Sequence, residues 1–425
     1  KIGDGWASLT YKEFGEKITN LACAMIQSGV KQGDSVGIYS ANRYEWAVSD
    51  FACILVGAIS VPIYATNTLD QAKYIIQDAG IKLIYVGNLG QYTNLATIHK
   101  NGQHLQVVSY DPAIEIDTKF ATYFRDYLNV QDQDKLLKEM HLRSGKIKTD
   151  DVTTVIYTSG TTGHPKGVML SHGNLFHQFE CVDANFSVSH EDVSLCFFPL
   201  SHVYERMWSY YVYLKGATQT YLEDPKQVIE TMQEVKPTAM VSVPRLYEKI
   251  YAAVLNSQES ASKVKRYLFT KAIETGRVYN NLLFRNQEIP SGLALKYKVL
   301  DKLVLSKVRA VVGGDKNFFS AGGAPLDKSI EEFFLACGLL ICQGYGLTET
   351  SPMISYNTPE NFKFGTVGKL VPNCEVRIAD NGEIQARGPQ IMKGYFNNPK
   401  ATAESIVDGW FKTGDLAIID EDGNL

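Results

Sequence analysis

A chain of 425 residues is longer than one hydrophobic core usually serves, so two or three packed units are expected. Hydrophobic residues make up 45% and charged residues 21%, a globular balance, and a formal net charge of −4 offers nucleic acid no bulk attraction. The seven cysteines are scattered and none forms a Cys-x-x-Cys pair, which points to reduced, mostly buried thiols in a cytoplasmic setting rather than to a disulfide scaffold or metal site.

The first 110 residues alternate helical and strand patterns. Thr10 can cap a helix whose apolar positions Phe14, Ile18, Leu21 and Met25 fall on one face. The strand SVGIYS, a helix near Tyr44 to Val56, and the strands SVPIYA and KLIYVG follow in regular succession, the pattern of an α/β layered fold. The longest apolar run, Phe51 to Val61, is too short to span a bilayer and reads as a buried helix end running into a strand. Residues 111–150 are polar, with a surface helix expected in YLNVQDQDKLLKEMHLRSGK. Residues 225–300 are rich in helical pattern, after which KVRAVVGG and LLICQGYG are read as strands. Beyond Thr358 the short strands EVRIA and EIQARG, separated by DNG, suggest a small β-rich subdomain. At the C-terminus Leu416–Ile419 is read as a strand and Asp420–Gly423 as a turn. The return strand of that hairpin is not in the chain, so a fragment of a longer protein is expected.

Two glycine-rich stretches carry chemistry. In IYTSGTTGHPKG, the hydroxyls of Thr158, Ser159, Thr161 and Thr162, the small residues Gly160 and Gly163, and the ammonium of Lys166 suit an anion-binding loop. The stretch does not fit a Walker A loop: the second glycine of that pattern falls on Pro165, and GVMLSH after Lys166 reads as a strand rather than a helix. The plain alternative is a surface turn. In QGYGLTETS, beginning at Gln343 and Gly344, Tyr345 offers a flat face for a base, Thr348 a hydroxyl, and Glu349 a carboxylate suited to Mg2+. Upstream, SAGGAPL lets the backbone at Gly323, Ala324 and Pro325 lie against a flat ring. Downstream, DGWFKTGD puts Asp415 after a tight turn, where it could accept from ribose hydroxyls. Each taken singly is equally a turn or a capping residue.

Together and in this order, YTSGTTGHPKG, GYGLTET and GWFKTGD resemble the core motifs of the acyl-adenylate-forming family, which includes acyl-CoA synthetases, peptide-synthetase adenylation domains and beetle luciferases. The stretches FFPLSHVYER and VPRLYEKIY are similar to those of its long-chain fatty acid–CoA ligases. The resemblance implies two packed α/β subdomains in a layered αβαβα body over 1–355, a distorted β-barrel over 356–413, and at 414–425 the start of a hinge to a smaller C-terminal domain absent from the chain. It implies formation of acyl-AMP from ATP and a fatty acid with release of pyrophosphate, then transfer of the acyl group to coenzyme A. Lys166, with the hydroxyls of Thr158, Ser159, Thr161 and Thr162 and the glycines Gly160 and Gly163, would bind phosphates. Thr348 would meet the α-phosphate, and Glu349 with Thr162 the Mg2+. Tyr345 would stack on adenine beside Gly323, Ala324 and Pro325, with Gln343 and Gly344 in the same pocket. Asp415 would bind ribose. His202 would lie between the carboxylate and the acyl tunnel, its alternative being a core histidine.

Some members carry a tryptophan gate after this His; here Arg206 stands near that place and Trp208 two residues on. Burial at about 0.8 kcal/mol per CH2 would give a chain of roughly 14 methylenes on the order of 10 kcal/mol before ordering costs, enough for an apolar tunnel to select by length. A medium-chain or aryl acid ligase, a ligase loading a carrier protein, and a non-catalytic nucleotide- or lipid-binding module stay open as alternatives. So do a homodimer and peripheral membrane contact.

Overall fold

The computed structural model describes residues 5–158, 164–314 and 316–425. The chain divides into two compact units, and each draws on distant stretches. The first comprises Lys1–Phe176, Phe198–Arg206 and Ile391–Gly409; the second comprises His177–Phe197, Met207–Gln390 and Trp410–Leu425. The segment 356–413 therefore contributes to both.

The first unit is built on an eight-stranded sheet. Its order, edge to edge, is Gly394–Tyr395, Lys166–Ser171, Val152–Thr158, Ile59–Ile63, Ser35–Tyr39, Leu83–Val86, Gln106–Ser109 and Ala121–Tyr123. The strands from Val152–Thr158 to Ala121–Tyr123 pair in parallel, and helices Tyr44–Val56, Leu69–Asp78 and Leu89–Lys100 make the crossovers that parallel pairing requires. Covered strands can be apolar along their whole length, as Leu83–Val86 is, with all four residues buried. The N-terminal helix, Tyr11–Gln27, starts where Thr10 accepts from the Glu13 amide and Glu13 returns the bond in a capping box, and it buries Phe14, Leu21 and Met25. The run from Phe51 to Val61 is a helix end at Val56, a left-handed Gly57 and a strand from Ile59.

In the second unit, strands Ala239–Ser242, Phe318–Ala321 and Ile341–Gly346 pair in parallel and continue antiparallel through Met353–Tyr356 and Lys369–Leu370. Helices Pro244–Glu259, Lys263–Phe284 and Lys328–Ala336 supply Tyr247, Ile250, Ala272, Phe333 and Phe334 to its core.

Three expectations are corrected. KVRAVVGG is not a strand: Ser306–Val311 is a helix, with Val308 and Val312 buried one turn apart and the left-handed Gly313 and Gly314 ending it. A short apolar run fits both periods, and here the glycines mark a helix end. The C-terminal strand is Trp410–Leu416 rather than Leu416–Ile419. The turn at Asp420–Gly423 is present, and Leu425 pairs with the backbone of Val367 and Gly368. Finally, Glu375–Ile378, Glu383–Arg387 and Trp410–Leu416 lie antiparallel in a four-stranded sheet that is open rather than a barrel, because no pairing among the described residues joins its two outer strands.

Candidate active site

The candidate residues divide between the units: Thr158, Lys166 and His202 lie in the first, and Gly323, Ala324, Pro325, Gln343, Gly344, Tyr345, Thr348, Glu349 and Asp415 in the second. Ser159, Gly160, Thr161, Thr162 and Gly163 lie outside the described residues.

In the first unit the strands Val152–Thr158 and Lys166–Ser171 run antiparallel with Thr158 directly opposite Lys166. The glycine-rich segment therefore joins two strands, unlike a loop that opens a helix. Thr158 and Lys166 are both half-buried, and the Lys166 ammonium stands 5.0 Å from the centre of the Tyr395 ring. Such a contact orients the long side chain while leaving the ammonium able to donate to an anion.

His202 is held by its own segment. Its amide donates to the Pro199 carbonyl at 2.9 Å, and Asn42 grips the preceding turn by donating to the Phe198 carbonyl and accepting from the Leu200 amide, both at 2.8 Å. The imidazole Nδ1 accepts the Tyr204 amide at 3.2 Å, so the neutral ring carries its proton on Nε2. Burial pulls its pKa down to about 4, which keeps it neutral at physiological pH and makes it a hydrogen-bond donor rather than a cation.

Four residues on, Arg206 is a strut. Its Nε donates to Asp50 Oδ2 at 2.9 Å, its Nη2 donates to the other oxygen of the same carboxylate, and its Nη1 donates to Thr154 Oγ1 at 2.7 Å. The guanidinium also lies 5.3 Å from the Trp46 ring. The side chains of Arg206 and Asp50 are 3% and 1% exposed. A buried, fully bonded guanidinium cannot swing as a gate without stranding Asp50. Trp208 is also fixed in the core of its unit, donating to Ser194 Oγ at 2.9 Å and packing 5.0 Å from the Phe318 ring. Neither residue is a free gate.

In the second unit, Gly323 has φ +82°, and a Cβ built on it would meet nothing within 4 Å. With Ala324 and Pro325 it forms an exposed ledge after the strand Phe318–Ala321. Gln343 is the ledge's support rather than a free ligand group: its amide accepts from the Leu326 N–H at 2.9 Å and donates to the Leu326 carbonyl at 3.4 Å. Tyr345 is half-buried, and its hydroxyl donates to Asp415 Oδ2 at 2.8 Å. Burial and that carboxylate both raise the phenol's pKa. Asp415 itself is exposed. It sits on the strand Trp410–Leu416 rather than beyond a turn, at a register irregularity where Gly414 takes φ +78°.

The sharp bend after Tyr345 depends on Gly346. A Cβ there would lie 1.6 Å from the Pro352 carbonyl oxygen. The bend leads into a single 3-10 turn, Thr348–Thr350, with Thr348 buried and Glu349 half-buried. Ser351, left-handed at φ +67°, closes the turn and is pinned by donating to the Gln390 carbonyl at 2.8 Å. A non-glycine residue in that region costs roughly 1–2 kcal/mol, and its surroundings impose it here.

Sequence reading missed the Arg206–Asp50–Thr154 network, the grip of Asn42 on residues 198–200 and the bond between Tyr345 and Asp415. An arginine inside the aromatic-rich VYERMWSYY was a signal, since a buried charge needs a partner. Its partner, however, is 156 residues away.

A family model described as AMP-binding enzyme matches residues 2–396. The chain is 36% identical over its whole length to "Long-chain-fatty-acid--CoA ligase FadD15" of Mycobacterium bovis, covering 70% of that protein. It is 33% identical over 98% of its length to "Long chain acyl-CoA synthetase 6, peroxisomal" of Arabidopsis thaliana, covering 60% of that protein. Among solved structures, a putative long-chain-fatty-acid CoA ligase from Rhodopseudomonas palustris shares the fold, with a TM-score of 0.70 and 20% identity, across 98% of this chain and 91% of that one.

Proposed function

The chain belongs to the AMP-binding enzyme family, and from that premise we propose that it activates a long-chain fatty acid with ATP and passes the acyl group to coenzyme A. The observation that carries this reading is the similarity, along nearly all of the chain, to relatives named as long-chain fatty acid ligases.

In the first half-reaction a carboxylate oxygen of the fatty acid attacks the α-phosphorus of ATP, and pyrophosphate leaves. In the second, the coenzyme A thiolate attacks the acyl carbon and AMP leaves. The first step gathers negative groups, so positioning and charge neutralisation are the main tasks. Lys166, Thr158 and the hydroxyls of Ser159, Thr161 and Thr162, with Gly160 and Gly163, bind the β- and γ-phosphates in this reading. Thr348 contacts the α-phosphate. Tyr345 stacks on adenine against the ledge of Gly323, Ala324 and Pro325, which Gln343 supports, with Gly344 in the same pocket. Asp415 accepts from ribose with the carboxylate oxygen that Tyr345 does not use. His202, neutral and protonated on Nε2, donates to the fatty acid carboxylate at the mouth of the acyl tunnel.

The donor set can be tested against Mg2+. Among the described residues there is no group of three or more His, Cys, Asp or Glu that could hold a metal ion. Magnesium keeps several waters and is usually bound through one or two carboxylates plus substrate phosphates, so Glu349, with Thr162, fits an ion that arrives on the nucleotide. There it would neutralise phosphate charge.

Among the described residues no helix is long and apolar enough to cross a membrane. Fatty acids partition into bilayers, so the reading includes pick-up of substrate at a membrane surface. ATP–pyrophosphate exchange driven by acids of increasing length, and by an aryl acid, tests the assignment. Long-chain acids should drive exchange best. Preference for the aryl acid would remove the long-chain assignment, and exchange without subsequent thioester formation on coenzyme A would point to a different acyl acceptor.

A further inference from the structure

The helical layer of the second unit turns an unusual face to solvent. Eight of the seventeen exposed large hydrophobic side chains among the described residues fall between Leu255 and Leu303. On the helix Ser291–Leu300 and the π-helical turn that continues it, Leu295, Val299 and Leu303 recur every four residues, 68%, 52% and 48% exposed. That spacing makes one stripe, and it is the outer stripe, because Leu300 and Leu305 are the residues this segment buries. A surface helix normally does the reverse and puts its polar side outward.

The neighbouring helix, Lys263–Phe284, packs Leu268, Phe269 and Ile273 against the core but also leaves large apolar side chains facing outward. It buries Ala272, Thr275, Gly276 and Asn280, while Tyr267 and Val278 are 63% and 52% exposed. The two helices pack directly, with the rings of Tyr279 and Tyr297 stacked at 3.8 Å. Their outer sides are close in space: the Glu274 carboxyl, on the exposed side of the first, is held below its usual range by a bond from Lys271 and, more weakly, by the charge of Lys296 on the second.

Charge sets this face apart again. Residues 263–307 contain ten Lys or Arg against three Asp or Glu, a net of +7 in a chain whose net charge is −4. Lys296, Lys298 and Lys302 are exposed and flank the apolar stripe, and Lys298 and Lys302 make no ion pair among the described residues. Exposed apolar side chains between unpaired lysines match a surface that is apolar beneath and anionic above.

We infer that the face formed by helices Lys263–Phe284 and Ser291–Leu300 with the turn Asp301–Leu305 docks the protein on an anionic lipid bilayer. Leu295, Val299, Leu303, Tyr267 and Val278 enter the interfacial layer, and Lys296, Lys298 and Lys302 meet the headgroups. Each lysine near such a surface contributes about fivefold in affinity, so the three together contribute on the order of a hundredfold. The inference deepens the reading of the chain as a fatty acid ligase, because it names the surface at which an insoluble acid would be met.

The test is co-sedimentation of the full chain with vesicles of phosphatidylcholine alone and of phosphatidylcholine with about one-third phosphatidylserine. The unaltered protein should bind the anionic vesicles, and high salt should weaken it. Lys296→Gln with Lys298→Gln and Lys302→Gln should lower affinity on the order of a hundredfold. Leu295→Ser with Val299→Ser should also release the protein, at any salt. All five positions are exposed, so the variants should keep the parent's thermal unfolding profile.

Failure to bind anionic vesicles at low salt would overturn the inference. So would variants that bind like the parent, or a self-association in sedimentation equilibrium that the same substitutions abolish, which would make the occupant a second copy. Acyl-AMP formation from a detergent-dispersed fatty acid, run on the same samples, separates this inference from the catalytic reading. Activity without vesicle binding sinks only the surface, and vesicle binding without activity sinks only the ligase assignment.

Discussion

Replacing Arg206 by alanine should be among the most damaging single changes in the first unit. Asp50, 1% exposed, would lose both charge-assisted bonds to its carboxylate, and Thr154 would lose a donor at 2.7 Å. Thr154 would keep only its own donation to the Ser60 carbonyl. Breaking a buried pair from one side costs about 3–5 kcal/mol, because the remaining charge loses its counter-ion without regaining water. For a unit of about 200 residues that corresponds to a fall in melting temperature on the order of 10 °C. Calorimetric melting of the parent, Arg206→Ala, Asp50→Leu, and Asp50→Leu with Arg206→Met would separate charge from volume. The double variant removes both charges and refills the space, so it should recover most of the loss. An Arg206→Ala variant within about 1 kcal/mol of the parent, or a double variant as unstable as the single, would refute the argument.

The bend at residue 346 and the ledge at 323 should respond differently to the same substitution. Gly346→Ala drives a methyl into the Pro352 carbonyl and should cost about 3 kcal/mol by denaturant unfolding, whereas Gly323→Ala meets open space and should cost only about 1 kcal/mol for its positive φ while weakening AMP binding in a titration. His202 has its pKa lowered in the folded protein, so the unfolded chain binds more protons between its ordinary value of about 6.5 and about 4. Stability should therefore fall on the order of 3 kcal/mol as pH drops through that window, and a His202→Gln variant should show a shallower slope in pH-dependent melting. Tyr345→Phe keeps the ring but loses the bond to Asp415 and should change AMP affinity only a few-fold. Tyr345→Ala should cost about 1–3 kcal/mol of base stacking, read by the same titration.

Local signals were readable where one residue type can do one job. Thr10 before the Phe14, Ile18, Leu21, Met25 stripe announced a capped helix, and the strand pattern of GVMLSH after Lys166 announced a second strand rather than a helix there. KVRAVV was not readable, because a run this short fits either period and the deciding feature was the helix end at Gly313. The bulge under Asp415 was hidden because it depends on a register irregularity against the distant strand Glu383–Arg387. Arg206 was noticed for its place after His202, yet its role is fixed by Asp50 and Thr154, which only the folded chain brings beside it. Gln343 was read as part of a binding cluster, and its buried position shows a side chain that holds the Leu326 backbone.

The most direct test of the central claim is calorimetric titration of the chain with non-hydrolysable acyl-AMP mimics of increasing chain length. Burial of each methylene should raise affinity about fourfold until the tunnel is filled, and the gain should persist to long chains. Equal affinity for short and long mimics would leave a nucleotide site standing and contradict the assignment to long-chain fatty acids.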